Sequence, residues 1–491
     1  MNKKAVVFPG WLSCVINRNI CQRVRNYLSM NGVELVSSVK KADYIIYAGC
    51  AVTEDTELQS LLEIDYLEKI IADSASDQRI ILIGCMPKMN RKTRGAHLNA
   101  KGELKEKVIG DYYKEDVSSK FIIINIHDFS LLDKIINAKI PYTAVPYPSK
   151  VAPIHGIEGV NFAFSAMKGF DKVKTIAMQK NFLKQTEMQS IMVNKGFLFP
   201  ATGEILTNYG YKQVMIGQGC KNNCAYCAIK LVKTKIVSVS SETILSQIQD
   251  LLSQGHSKFV LLCDDLRSWG LEIKDHWIDL IKRILIIDPD LRLALFNLKT
   301  EDLLAEKPFF DEAVETGKIP YIGLMGQHVN KRILKAMRRE PFTSDEFLGL
   351  INGYGKKKIH LHTYNIIGFP GETEEEFDEL VRFVLGIETE NFSLLNFPYS
   401  DRQGTLAATY PNKVSYDTIM DRTDRLNRAY YKCSEKRFAA LSPEIRWPLL
   451  DLIQLQLESR KLYFDYIQFL SEAADAACPA SGAAFVDAEG I

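Results

Sequence analysis

The sequence lacks an excess of charge of either sign: 61 Lys and Arg stand against 60 Asp and Glu, a net +1 over 491 residues. No global basic field therefore marks a nucleic-acid binder, which leaves only a local patch for such a role. Long apolar runs are missing as well. The longest, such as residues 44–52, fall far short of the roughly 20 residues that a membrane span needs. Lys3 and Lys4 are followed by only a short apolar stretch before Pro9-Gly10, which is no signal peptide. A cytoplasmic location is expected, with no membrane partner. Cysteine is scarce, ten residues in all, too few for a disulfide scaffold in a chain of this length. No repeat of fixed period is present. With 46% apolar and 25% charged residues the chain is neither disordered nor fibrous, and its length allows two to four domains.

What is present is a rhythm of strands and helices. Apolar, β-branched runs at 5–8, 33–36, 44–47, 79–83 and 121–126 alternate with helical stretches such as 17–30 and 53–72. This predicts a mostly parallel α/β sheet over residues 1–140. Pro141, Pro146, Pro148 and Pro153 mark a linker, and 141–205 reads as linker plus a hairpin-bearing insertion. The rhythm then returns. Strands are expected at 213–216, 259–263, 291–296, 321–325, 360–367 and 392–397, with helices at 241–253, 275–287 and 373–385. Six such units suit an open (β/α)6 barrel over 206–408. Residues 409–477 read as helices, and 478–491 as a disordered tail. The fold class is thus α/β: an open parallel sheet, a partial barrel and a helical C-terminal region.

The cysteines carry the chemistry through their placement. Cys220-Lys-Asn-Asn-Cys224-Ala-Tyr226-Cys227 follows a strand and puts three thiols within eight residues. Cys thiolates hold iron–sulfur clusters, and three ligands leave one iron of a four-iron cube open. A zinc site wants a fourth ligand nearby, and the nearest His, His256, is distant in sequence. The Cys-x3-Cys-x2-Cys spacing resembles the radical SAM superfamily. That resemblance implies S-adenosylmethionine (SAM) bound at the open iron, cleaved to a radical that abstracts an unactivated hydrogen, with Tyr226 near the adenine.

Cys14, Cys50 and Cys85 each follow a predicted strand of the first sheet. Ligands bind at the carboxyl ends of strands in open parallel sheets, so three dispersed cysteines can converge there. Cys21, further along the first helix, is expected to be packing. Cys14-Val-Ile-Asn17, Cys50-Ala-Val-Thr53 and Gly84-Cys85-Met-Pro resemble the N-terminal motifs of the radical SAM methylthiotransferases. Leu262-Cys-Asp264-Asp265-Leu-Arg-Ser-Trp-Gly270, Gln327, Ile333-Leu-Lys-Ala-Met-Arg338-Arg, Gly368-Phe-Pro-Gly-Glu-Thr and Tyr399-Ser-Asp-Arg402-Gln-Gly404-Thr405 extend the match. The resemblance implies two [4Fe-4S] clusters, one on Cys220, Cys224 and Cys227 and an auxiliary one on Cys14, Cys50 and Cys85. It also implies SAM, an electron donor of flavodoxin or ferredoxin type, and a sulfur source. Tyr226, Asp265 and Gln327 are the expected SAM contacts, and no catalytic side chain beyond the cluster ligands is singled out. The reaction so implied inserts sulfur or a methylthio group into an unactivated C–H bond.

The chain departs from that family in two places. Where the family carries an Ile-Pro-x-x-Arg-Gly-x-x-Arg-Ser run, only Ile229 and Ser238 are kept, with Lys233 in place of an Arg. The small C-terminal β-barrel of the family is replaced by the helices after residue 409. These departures and the absent basic field favour a peptide, protein or small metabolite as substrate. The alternative is a tRNA adenosine methylthiotransferase; a further one is two-cluster radical chemistry without sulfur, such as epimerisation or C–C bond formation. Residues 154–205 and 409–491, which carry no family motif, are expected to form the substrate wall. His360 and His362 share one face of a strand and read as structural.

Overall fold

Apolar runs separated by helix-length polar stretches fold here as two successive parallel sheets. The computed structural model describes residues 3–10, 14–72, 77–89, 95–98, 104–107, 113–150, 173–178, 180–181, 184 and 210–477. The tail at 478–491, with Cys478, and most of the 154–205 segment lie outside the described residues.

The first sheet contains β1 (Lys4–Pro9), β2 (Glu34–Leu35), β3 (Tyr44–Gly49), β4 (Arg79–Gly84) and β7 (Phe121–Ile123), in the order β2-β1-β3-β4-β7. Every pairing is parallel. β3 is buried along its whole length, as suits a central strand covered on both faces. Helices Val15–Met30 and Glu54–Ala72 connect the strands. An antiparallel hairpin of β5 (Gly95–Leu98) and β6 (Leu104–Lys107) interrupts the rhythm and was not expected.

The linker expected from residue 141 begins inside this domain. Tyr142 stacks on Phe129 with ring centroids 5.0 Å apart and, with Val145, belongs to the first core. The prolines there bend a packed segment.

The second sheet is six-stranded and parallel, in the order β15-β14-β13-β12-β11-β8. Its strands are β8 (Lys212–Met215), β11 (Lys258–Leu262), β12 (Arg292–Lys299), β13 (Tyr321–Gln327), β14 (His360–Ile367) and β15 (Phe392–Pro398). β8 and β15 do not meet, so the barrel is open, as expected. Alternate residues face opposite ways. Val214, Phe259, Leu261, Leu293 and Leu295 pack on the outer helices. Met215, Val260, Leu262, Ala294, Phe296 and Tyr321 instead join the core of the first domain. The first domain therefore packs against the concave side of the barrel.

Two helices follow, Tyr416–Arg437 and Pro443–Ala477. The first is a further outer helix of the barrel: Leu426, Tyr430 and Cys433 are buried in the outer core. Arg422 pairs with Glu372 at 2.9 Å, and Arg437 donates to the carbonyls of Thr389 (3.1 Å) and Phe392 (3.3 Å). This half of the expected substrate wall is barrel wall. The long second helix has Asp465 paired with Lys174 at 2.9 Å. Lys174 lies on a helical stretch, 173–178, where a hairpin was expected. No helix among the described residues is long and apolar enough to cross a membrane.

Candidate functional site

A single loop carries Cys220, Cys224 and Cys227. It runs from β9 (Gly217–Gln218) to β10 (Val237–Ser238), an antiparallel pair that pinches it closed. The pinch requires glycine at 219: its φ is +88°, and a Cβ there would sit 2.1 Å from the carbonyl oxygen of Lys235. The end of β11 holds the loop down. Asp264 Oδ2 accepts from the Gly219 amide at 2.7 Å, and Ser268 Oγ from the Lys221 amide at 2.9 Å. Asp265 accepts from Asn222 Nδ2 at 3.0 Å and from Ser268. Asn222 also donates to Cys220 Sγ, from its amide at 3.4 Å and from Nδ2 at 3.1 Å.

All three cysteines are partly exposed. Burial, with Asp265 alongside, pushes the Cys220 thiol up to about 11, and burial, with Cys224 alongside, pushes Cys227 up to about 12. Thiols raised in this way ionise only against a local positive charge, which a metal centre provides. Next to them, Tyr226 accepts from Arg339 Nη1 at 3.4 Å. Arg339 is buried, forks onto Glu301 at 2.6 and 2.5 Å, and donates to the Met325 carbonyl at 2.6 Å. Gln327 ends β13 in a left-handed conformation, φ +69°, where the register with β14 shifts. A non-glycine residue held there is strained, and such strain gathers at functional strand ends.

The second triad is built from three strand ends. Cys14 caps the helix that follows β1, Cys50 follows β3, and Cys85 follows β4. The Cys85 amide donates to the Gly49 carbonyl at 3.2 Å, so β3 and β4 stay paired up to the cysteines. Ser60 grips Cys50 from the next helix, accepting from its amide at 3.0 Å and donating to its carbonyl at 2.9 Å. Burial pushes the Cys85 thiol well up, and Cys50 and Cys14 stand near enough to push further while Lys233 opposes them. The three converge at one end of the sheet. Cys21 is buried in the core.

Between the triads lies an ion pair that the sequence alone did not reveal. Lys233 Nζ donates to Asp264 at 2.6 and 2.8 Å, and both side chains are buried. Burial alone would push the Lys233 ammonium down. Asp264, with the thiols of Cys85 and Cys14, instead holds it above its ordinary value. Asp264 is also the residue that accepts from Gly219. Lys233 thus lies towards the dispersed triad, while Asp264 holds the contiguous loop and acts on both Cys227 and Cys85.

Two further residues were missed in their roles. Arg402 reaches across from beyond β15 to the Ala51 carbonyl at 2.9 Å and to Glu57 at 2.6 Å, beside Cys50. Asn17 is fully buried, and both polar atoms of its side chain lack a hydrogen-bond partner among the described residues. Its Nδ2 lies 3.3 Å from where a Gly84 Cβ would stand, next to Cys85. An orphaned buried amide is costly and calls for a partner at that spot. The sequence offered one signal: Asn17 belongs to the Cys14-Val-Ile-Asn17 motif.

Both triads fit a cluster better than a single ion. Among the described residues no three His, Cys, Asp or Glu side chains stand close enough to hold one metal ion. A cube of iron and sulfur takes ligands spaced more widely and, with three thiolates, keeps an open iron. His360 and His362, by contrast, share the Ser393 hydroxyl at 2.9 and 2.7 Å inside the barrel, away from both triads.

Comparison with known proteins agrees with this layout. Residues 214–384 match the Radical SAM superfamily, and residues 8–105 match Uncharacterized protein family UPF0004. A ribosomal protein uS12 methylthiotransferase RimO from Protochlamydia amoebophila is 24% identical over 434 residues, covering 87% of this chain and 76% of that protein. The RimO of Thermotoga maritima is 25% identical over 423 residues, covering 84% and 81%. That of Carboxydothermus hydrogenoformans is 30% identical over 225 residues, 45% of this chain and 50% of its own length. A UPF0004 region ahead of a radical SAM region, in a chain whose relatives align over most of its length, supports the radical SAM methylthiotransferase family, enzymes that use two [4Fe-4S] clusters and S-adenosylmethionine.

Proposed function

We propose that this enzyme methylthiolates an unactivated carbon of a protein or peptide in the cytoplasm. The observation that carries the reading is the convergence of Cys14, Cys50 and Cys85 at one end of the first sheet, with the Lys233–Asp264 pair within electrostatic reach of Cys85, Cys14 and Cys227. In this reading Cys220, Cys224 and Cys227 hold the SAM-binding cluster, and Cys14, Cys50 and Cys85 hold the auxiliary one. When bound, the clusters and SAM supply radical chemistry and sulfur.

The chain's own residues then position and shield. Gly219, Asp264, Asp265 and Ser268 pin the cysteine loop to the end of β11. Tyr226, backed by Arg339, together with Asp265 and Gln327, contributes the SAM side of the site. Ser60 and Arg402 fix the loop after Cys50, and the Asn17 side-chain amide, beside Cys85, would be the donor on hand for the auxiliary cluster. An electron donor of flavodoxin or ferredoxin type and a sulfur source complete the partners.

A protein substrate is supported by the relatives, which are named for a ribosomal protein; the same names give the tRNA alternative less support. The test is methylthiolation assayed by mass spectrometry with reconstituted enzyme, SAM, a reductant and sulfide. Purified small ribosomal subunit proteins and bulk tRNA serve as separate substrates. A mass gain on a protein is expected. A gain on tRNA alone overturns the substrate class, and SAM cleavage without sulfur transfer to either overturns the reaction.

A further inference from the structure

A buried lysine and a buried aspartate that meet between two cysteine triads do more than neutralise each other. The pair is oriented. Lys233 Nζ is 2.6 Å from Asp264 Oδ1, and the side chains are 2% and 4% exposed. The helix Ile229–Val232, which leads into Lys233, lies against Met86–Met89 next to Cys85, and the ammonium acts on Cys85 and Cys14. The carboxylate acts on Cys227 and, more weakly than the lysine, on Cys85, and it holds the Gly219 amide at 2.7 Å where the loop of Cys220 begins. Fixed charges inside a low-dielectric region act strongly on neighbouring charges. Adding an electron makes a cluster more negative, so a nearby cation favours reduction and a nearby anion opposes it.

We propose that the Lys233–Asp264 pair is an electrostatic divider that sets the two clusters at different potentials, raising that of the cluster on Cys14, Cys50 and Cys85 and lowering that of the cluster on Cys220, Cys224 and Cys227. Both residues are positioning residues; neither touches substrate. The inference rests on the proposed assignment of two clusters to the two triads. Its functional meaning is direction. An electron meant for the SAM-binding cluster must be strongly reducing, and the auxiliary cluster beside it is held in a different range.

The test is a redox titration followed by electron paramagnetic resonance. Each cluster is measured alone, in protein carrying Ala at the other triad. In Lys233→Gln the unbalanced carboxylate should lower both potentials. In Asp264→Asn the unbalanced ammonium should raise both. In the double variant the two should separate: the reduced-to-oxidised ratio at fixed potential falls about tenfold for the Cys14, Cys50 and Cys85 cluster and rises about tenfold for the other. A tenfold change is about 59 mV for one electron. Lys233→Arg should restore both. A purely structural pair would not give opposite signs. Shifts of one sign in the double variant, or none, overturn the proposal.

A second measurement needs no cluster. Melting of cluster-free protein through the four-member cycle should show that the double variant is more stable than the sum of the singles predicts, because each single strands a buried charge. Simple additivity would also overturn it. Failure of the two-cluster assignment looks different: unmodified protein would load about four irons instead of about eight, whatever stands at position 233.

Discussion

One triad is written in a single loop and the other is assembled from three strand ends, and the two depend on different things. The loop of Cys220, Cys224 and Cys227 needs a local pinch, Gly219 against Lys235, and a few hydrogen bonds to the end of β11. Cys14, Cys50 and Cys85 need a whole sheet in register, and a residue from the far end of the barrel to hold one of their loops. The first geometry is largely local, its distant ties being those of the Ala225 backbone to Met337 and Ala407. The second is a property of the tertiary fold, so distant substitutions should damage it selectively.

The largest expected effect is on metal content. Replacing Cys14, Cys50 and Cys85 with Ala should halve the iron of reconstituted protein, from about eight to about four, and so should replacing Cys220, Cys224 and Cys227. Iron analysis with absorption at the cluster bands checks this. If the first replacement left the iron unchanged, the comparison would collapse. Next comes Arg402→Gln, which removes the tie to Ala51 and Glu57 and leaves Glu57 buried without that charge partner. Breaking a buried pair costs about 3–5 kcal/mol. The iron lost should come from the dispersed triad alone. Equal loss from both would mean that Arg402 itself, and not only the neighbouring Ala407, supports the contiguous triad.

A smaller effect separates two asparagines. Asn222→Leu removes hydrogen bonds to Cys220 and Asp265 and should lower the stability of cluster-free protein by about 0.5–1.5 kcal/mol per bond. Asn17→Leu removes a buried amide with no partner among the described residues. It should stabilise cluster-free protein by up to about 1–3 kcal/mol, while weakening retention of the auxiliary cluster. Thermal melting and iron loss under a chelator read the two changes. A fall in melting temperature for Asn17→Leu would show that the amide has a structural role.

The effect that is smallest near neutral pH concerns protons in the barrel alone. Burial, helped by Arg437, depresses His360 to about 3, below its unfolded value of about 6.5. The unfolded chain therefore binds the proton more readily between those values, and stability falls as pH drops from about 6.5 towards 3. His360→Phe, which keeps a ring stacked on Tyr321, should flatten the melting temperature against pH in that window. The iron of either triad should not change.

The parts of this molecule that were readable from sequence are those with a period or a spacing. Alternation marked the strands to within a residue or two at most ends, and 360–367 and 241–253 coincide with β14 and the helix Ser241–Ser253. The eight-residue cysteine run read directly. The dispersed triad read only because strand ends of a parallel sheet share an edge. Lys233 with Asp264, Arg402 with Glu57 and Arg339 with Glu301 were not readable, because each pairs residues far apart in the chain through a fold that had to exist first. The linker from 141 misled because proline marks a bend and says nothing about what the neighbouring Tyr142 packs against. The helix Tyr416–Arg437 was found, but its place on the outer wall was not, since amphipathicity gives a helix a buried face without naming the partner.

Arg402 belongs to a short segment that reaches both triads. A few residues on, the Ala407 amide donates to the Ala225 carbonyl within the loop of Cys224 and Cys227, at 2.8 Å. Arg402 and Glu57 are 345 residues apart. At about 5–20 residues per second of synthesis, the first sheet waits roughly 20–70 s for the residue that latches it. Although the cysteines emerge from the ribosome at very different times, both loops acquire their last support when the same segment emerges. The order of synthesis thus delays a finished binding place for either cluster until nearly the whole barrel has been made.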